Sequence, residues 1–305
     1  MTTRPTAPVP AEPPVPSEPS VLSEPSVSSG SPVPSESFAP TPGDVAAYLR
    51  RIDAERPDRA DAEALRDLHL RHLRTVPFEN LSIHLGEDIV LEEKALLGKV
   101  IGAHRGGFCY EVNTAFAVLL RGLGYRVSLL QARVFGPEGK PGIPYDHMAL
   151  LVETVDGERW LADVGFGDHS HFPLRYEERG DQTDPGGVFR LVDTAEGDVD
   201  VLRDGKPQYR IELRPRRLAD FTAGAWYHQT SPDSHFPRGL VCSLLTEEGR
   251  ITLSDRKLIT RAKGERDERI LESEDEVRGA YRDLFGIELD ALPVVRGGIS
   301  DSNPR

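Results

Sequence analysis

Arg105-Gly106-Gly107-Phe108-Cys109-Tyr110-Glu111-Val112-Asn113 decides how the rest of this 305-residue chain is read. Two glycines lead into a cysteine, and an apolar repeat follows it. Val112, Ala115, Phe116, Leu119, Leu120 and Leu123 fall on one face of an α-helix. Gly122 and Gly124 supply its stop. Cys109 therefore opens a helix, where the positive end of the dipole favours a thiolate. An imidazole partner would favour it further. The Cys109 N–H, unused by the helix, is placed to hold a developing oxyanion. Gly106 and Gly107 are expected to allow a tight turn and the close approach of a substrate. The other cysteine, Cys242, lies in the apolar run Leu240-Val241-Cys242-Ser243-Leu244 and reads as core.

Downstream, the period changes to two. Residues 125–135 read as a strand, followed by a Gly/Pro-rich loop over 136–146. Met148, Leu150 and Val152 then alternate, as do Trp160, Ala162 and Val164, with Asp156-Gly157 marking a hairpin between them. His147 opens the first of these strands and Asp163 interrupts the second. A carboxylate inside Leu161-Ala162-Asp163-Val164 is costly to bury alone. An imidazole on the adjoining strand would partner it and be oriented by it, completing a Cys109, His147, Asp163 triad.

Register tests that pairing. A two-residue turn would put Asp163 opposite Leu150, on the wrong face for His147. A three-residue loop, or one bulge, puts it opposite Ala149, diagonal to His147 at roughly 7–8 Å between Cβ atoms. The same shift pairs Met148 with Val164, Leu150 with Ala162 and Val152 with Trp160, leaving the other face wholly apolar. The three-residue loop or bulge is therefore predicted.

Upstream, Val45, Tyr48, Leu49 and Ile52 follow helical spacing after Thr41-Pro42. Ala62, Leu65, Leu68, His69 and His72 mark a second helix, its histidines packed or solvated rather than ligands. Residues 1–40 hold 11 of the 25 prolines and nine serines. With so little apolar content, that stretch reads as a disordered tail. Beyond the hairpin, strands are expected near 187–192, 198–202, 207–213, 240–245 and 250–254. Residues 266–285 read as a last charged helix burying Ile270, Leu271, Val277, Tyr281, Leu284 and Phe285. Helices first, then strands, then mixed elements make an α+β chain.

The formal charge is −13. That disfavours nucleic acid and anionic membranes as partners, and an anionic ligand would need a local nest of arginines or backbone N–H groups. No apolar run is long enough to span a bilayer. No secretory pattern is seen, so a reducing cytoplasm is expected. Two cysteines without C-x-x-C make a structural zinc improbable, and no metal is expected.

The chain resembles the arylamine N-acetyltransferases. The resemblance rests on Pro77-Phe78-Glu79-Asn80-Leu81, the cysteine segment quoted above, Ala132-Arg133-Val134, Asp146-His147-Met148, Asp163-Val164-Gly165-Phe166-Gly167 and Ser231-Pro232-Asp233-Ser234-His235-Phe236. It covers about residues 44–290; the tail has no counterpart. It implies a helical subdomain over 41–125 carrying the nucleophile, a β-barrel over 126–235 carrying His147 and Asp163, and an α/β lid over 236–305, around a papain- or transglutaminase-like core. It implies ping-pong transfer from acetyl-CoA, a co-substrate rather than a permanently bound cofactor, through a Cys109 thioester to an arylamine, arylhydrazine or N-hydroxyarylamine. It also implies an aromatic pocket lined by Phe78, Val134, Phe166 and Phe236, with Gly165 and Gly167 bringing backbone close to the acyl donor. Glu79 and Arg105 are expected to form a supporting buried ion pair. Two alternatives share the triad: a macrolactam-forming amide synthase and a cysteine hydrolase.

Overall fold

The computed structural model describes residues 38–295; the Pro/Ser-rich stretch, up to residue 37, lies outside them. The first helices are α1 (Pro42–Arg51) and α2 (Ala62–Thr75). Helix α1 starts at a capping box in which Thr41 Oγ1 accepts from the Asp44 N–H and Asp44 accepts from the Thr41 N–H. A two-residue strand β1 (Phe78–Glu79) and short helices α3 (Leu81–Leu85) and α4 (Glu93–Leu97) follow, α4 continuing into a π-helical turn. Helix α5 (Cys109–Gly122) then runs through the middle of the helical core. Every residue from Cys109 to Leu120 is buried. The one-faced stripe read from sequence is thus too narrow, because neighbours cover this helix all round.

Strands β2 (Arg126–Val134), β3 (His147–Glu153), β4 (Arg159–Ala162), β5 (Leu174–Arg175), β6 (Gln182–Asp184), β7 (Gly187–Asp193), β8 (Val199–Arg203) and β9 (Lys206–Ile211) form one antiparallel sheet. Its order is β5-β4-β3-β2-β9-β8-β7-β6. The two edges meet through one side chain: Gln182 accepts from the Arg175 N–H and donates to the Arg175 carbonyl. The sheet is a nearly closed barrel filled by Leu130, Ala149, Leu161, Phe189, Val201 and Tyr209. The opposite face of β3 and β4, with Met148, Leu150, Val152, Trp160 and Ala162, packs into the α5 core.

The hairpin has the three-residue loop. Thr154 N–H donates to Glu158 O across Val155-Asp156-Gly157, and Leu150 pairs with Ala162 and Val152 with Trp160.

After helix α6 (Thr222–Thr230), strands β10 (Val241–Leu245), β11 (Gly249–Ser254), β12 (Lys257–Ala262) and β13 (Glu265–Ile270) form a second antiparallel sheet. It is completed by β1 from the helical segment and packed on helix α7 (Glu274–Phe285) through Cys242, Leu253, Val277 and Tyr281. The helix expected over 266–285 is corrected here: its first part is the edge strand β13. Lys263 and Gly264 both have positive φ, forming the two-residue turn of a tight hairpin, and Ala262 pairs with Glu265. Helix α7 starts only after Ser273, whose Oγ accepts from the Glu276 N–H. Ile270 and Leu284, expected to be buried, are exposed. No helix among the described residues is long and apolar enough to cross a membrane.

Candidate active site

Cys109, His147 and Asp163 come together where α5 meets the hairpin, and each is almost fully buried. His147 Nε2 lies 2.7 Å from Asp163 Oδ2. That contact leaves Nδ1 as the ring's other nitrogen, and Cys109 lies near enough to the ring to raise its proton affinity. Burial disfavours a charged His147. The influence of Asp163, then that of Cys109, outweighs it and holds the ring's pKa up at about 10. Burial alone would raise the Asp163 carboxyl; the imidazolium and the bonds from His147 and Asn113 instead lower its pKa to about 2. The pair is thus poised to stay charged.

Asn113, one turn along α5 from Cys109, ties the helix to the hairpin. Its Nδ2 donates to Asp163 Oδ1 at 3.0 Å and to Met148 O at 2.7 Å, and its Oδ1 accepts from Val164 N–H at 2.9 Å. Asp163 Oδ1 also accepts from Gly165 N–H. Both carboxylate oxygens are therefore committed. Just before His147, the Tyr145 and Asp146 carbonyls accept from Tyr110 Oη, and Asp146 pairs with His228 of α6 at 3.0 Å.

Sequence reasoning missed the histidines around Asp163. His69 on α2 is packed, as expected, but it also has a task. Its Nδ1 lies 2.9 Å from His171 O, so Nδ1 donates and Nε2 is left to accept from the Asp163 N–H at 3.3 Å. His169 stacks edge-on against Phe189 and tilts over Phe166 and Tyr209. Burial pulls both His69 and His169 down to about 4, so both are neutral. The only advance signal for His69 was its place in a buried stripe, which says nothing of a partner 94 residues away.

The glycines have reasons other than substrate access. A Cβ at Gly106 would strike the Pro77 carbonyl at 1.7 Å, and one at Gly107 the Glu111 carboxylate at 2.5 Å. Their room is occupied by the protein itself, which corrects the expectation that it admits substrate. Gly107 O instead receives the Glu79 N–H of β1. Gly165 sits against the Cys109 backbone, where a Cβ would lie 2.7 Å from Cys109 Cα; Gly167 has φ +90° beside Phe78. Beneath this loop Arg105 Nε donates to the buried Glu79 at 2.9 Å, and Lys99 pairs with Glu111 at 2.6 Å.

The four expected pocket residues fall into two pairs. Phe78 and Phe236 face each other at 6.2 Å between ring centroids, with Phe108, which was not among the expected pocket residues, against Phe236. Val134 and Phe166 pack at the barrel side, Phe166 edge-on to His147 at 5.2 Å. Among the described residues no group of three or more His, Cys, Asp or Glu side chains is arranged to hold a metal ion. The arrangement sets a thiol at the start of a helix near an imidazole that a buried carboxylate holds, the residue types that acyl transfer through a covalent intermediate needs.

Residues 61–294 match a family model described as N-acetyltransferase. The chain is 33% identical over 260 residues to an arylamine N-acetyltransferase of Mycolicibacterium smegmatis, covering 82% of this chain and 94% of that one. It is 37% identical over 217 residues to an arylamine N-acetyltransferase of Escherichia coli (strain K12), covering 68% and 75%. The fold matches that of Mycobacterium marinum arylamine N-acetyltransferase in complex with CoA at a TM-score of 0.73 and 30% identity, covering 80% of this chain and 92% of that one.

Proposed function

Because the chain belongs to the arylamine N-acetyltransferase family, we propose that it moves acetyl groups from acetyl-CoA to an arylamine, arylhydrazine or N-hydroxyarylamine through a Cys109 thioester. The observation that carries this reading is the His147 ring, held by Asp163 at Nε2 and close to Cys109 at the start of α5. The Cys109 thiolate attacks the thioester carbonyl. The tetrahedral oxyanion is held by the Cys109 N–H. It collapses by breaking the carbon–sulfur bond to CoA, whose sulfur takes the His147 proton. The amine then attacks the acetyl-cysteine, gives its proton to His147 and expels the Cys109 thiolate. Asp163 stabilises the charged ring and fixes its orientation throughout.

Phe78, Val134, Phe166 and Phe236 would line the acceptor's path, since two of them flank His147 or the Cys109 loop. Gly165 and Gly167 would let the donor pass close to backbone. A cytoplasmic setting suits a free thiol nucleophile. No observation favours the amide synthase reading.

Mass spectrometry tests the proposal. Acetyl-CoA without amine should add one acetyl group to Cys109 and release one CoA. Addition of an arylhydrazine should then remove the label as N-acetyl product. Cys109→Ala should show neither step. Release of the label as free acetate at the same rate with and without amine would instead make the protein a hydrolase.

A further inference from the structure

Asp168 follows the Asp163–Gly167 loop and receives three guanidinium groups from two different sheets. Arg261 Nη1 lies 3.0 Å from Asp168 Oδ2, Arg203 Nη1 3.5 Å from Oδ1, and Arg250 Nε 3.7 Å from Oδ1. Arg203 ends β8 in the barrel. Arg250 and Arg261 are direct cross-strand partners on β11 and β12 of the second sheet. Like charges directly opposite each other destabilise a strand pair unless an anion lies between them. Asp168 supplies one negative charge, and Asp204, 3.9 Å from Arg203, a second. Three cations still outnumber two anions, in a chain whose formal charge is −13.

Arg250 is buried, with the Ser243 hydroxyl at 3.2 Å as a further partner. Burial lowers its pKa; Asp168 restores part of the loss, and Arg203 and Arg261 add to it. Arg261 and Asp168 are about half exposed, at 52% and 45%, so the cluster opens to solvent.

Its position ties it to the nucleophile. Gly165 abuts Cys109 Cα. Asp168 is three residues further along, at most about 11 Å away. A donor with its thioester at Cys109 and its anionic end one pantetheine arm away reaches this cluster. We propose that Arg203, Arg250 and Arg261 form the phosphate subsite for the acyl-CoA donor, a donor phosphate taking the place of Asp168 among the guanidiniums. Guanidinium forks match phosphate oxygens, and a phosphate brings more charge than one carboxylate. The assignment deepens the acetyl-CoA reading above and rests on it.

The test compares full-length wild type and Arg261→Gln with acetyl-CoA, acetyl-dephospho-CoA and S-acetylpantetheine, using one arylhydrazine acceptor. The ratio of kcat/KM for acetyl-CoA to that for S-acetylpantetheine should fall about tenfold in R261Q, as expected for loss of one charge-assisted bond. If acetyl-dephospho-CoA also loses, the subsite takes the diphosphate; if it does not, the 3′-phosphate. Calorimetry with CoA and pantetheine separates this proposal from the reading beneath it. Weaker CoA binding by R261Q, with pantetheine binding unshifted, supports the subsite even if no acetyl transfer is seen. Equal losses for both donors, or wild-type CoA affinity in R261Q, overturn the subsite and leave acetyl transfer standing.

Discussion

Asn113 Nδ2 donates to Asp163 Oδ1 at 3.0 Å, joining helix α5 to the residue just past the end of β4. Since Cys109 is one turn earlier on the same helix, this bond sets the proposed nucleophile and the carboxylate in one frame. Asn113 acts through Asp163 and is a positioning residue. Asn113→Ala would free the Met148 carbonyl and the Val164 N–H as well. Each buried group left unpaired costs about 1–3 kcal/mol. We expect kcat to fall about 10²-fold by misplacement of the triad, with KM for the amine little changed. Steady-state kinetics alongside urea unfolding checks both; a stability loss with normal kcat would make Asn113 structural only.

The His147–Asp163 pair fixes a pH window. His147 is raised from the usual 6.5 to about 10, so the stability it adds is complete below about pH 6.5 and lost as pH rises through about 10. Asp163 is lowered from 3.8 to about 2, so its contribution is present above about pH 3.8 and lost as pH falls through about 2. Acetyl-enzyme formation should therefore keep a plateau that falls on the alkaline side near pH 10. Asp163→Asn should move that limb down by more than about one pH unit and cut the plateau rate about 10³-fold. Single-turnover rates across pH measure both, and an unmoved limb would show that His147 is not the titrating group.

What the sequence made legible follows from the period of its burial. The β3–β4 hairpin was readable because its two faces differ: Leu150, Ala162 and Trp160 face the α5 core, and that demand fixes the register that joins His147 to Asp163. Strand β13 was not readable, because all six of its residues are exposed and leave no alternation to find. Its charged edge discourages pairing with another chain, and the same charges look like a helix surface. The Ser273-x-x-Glu276 start of α7 was visible and would have trimmed the helix. Arg250 facing Arg261 could not be anticipated without the β11–β12 pairing.

His69 offers a test of support from outside the triad. Its Nε2 accepts from the Asp163 N–H, and its Nδ1 reaches His171 O. His69→Leu leaves that N–H buried without an acceptor, at a cost of about 1–3 kcal/mol. His69→Gln can restore an acceptor to Asp163. We expect kcat to drop about tenfold in H69L, with the alkaline limb shifted, and H69Q to recover most of both. A loss of thermal stability alone, with an unmoved pH profile, would confine His69 to packing.

Acid should weaken the fold well before the carboxylates titrate. Burial lowers the pKa of His69 and of His169 to about 4, and holds that of His72 well below 6.5. Each folded pKa is depressed, so the stability these rings add is present above about pH 6.5 and is lost as pH falls toward the folded value. At pH 5 His69 and His169 each withdraw about 2 kcal/mol relative to neutral pH, since a tenfold difference in proton affinity between folded and unfolded chain is worth about 1.4 kcal/mol, and His72 acts in the same direction. His147 has the opposite sign and gains about 1 kcal/mol over the same range, less than His69 and His169 lose together. The net direction is loss. Urea unfolding at about pH 7.5 and about pH 5 should show the midpoint falling. His169→Phe, which replaces a ring with no hydrogen-bond partner among the described residues, should reduce the fall. An unchanged midpoint between the two pH values would mean that these histidines are not held neutral by burial.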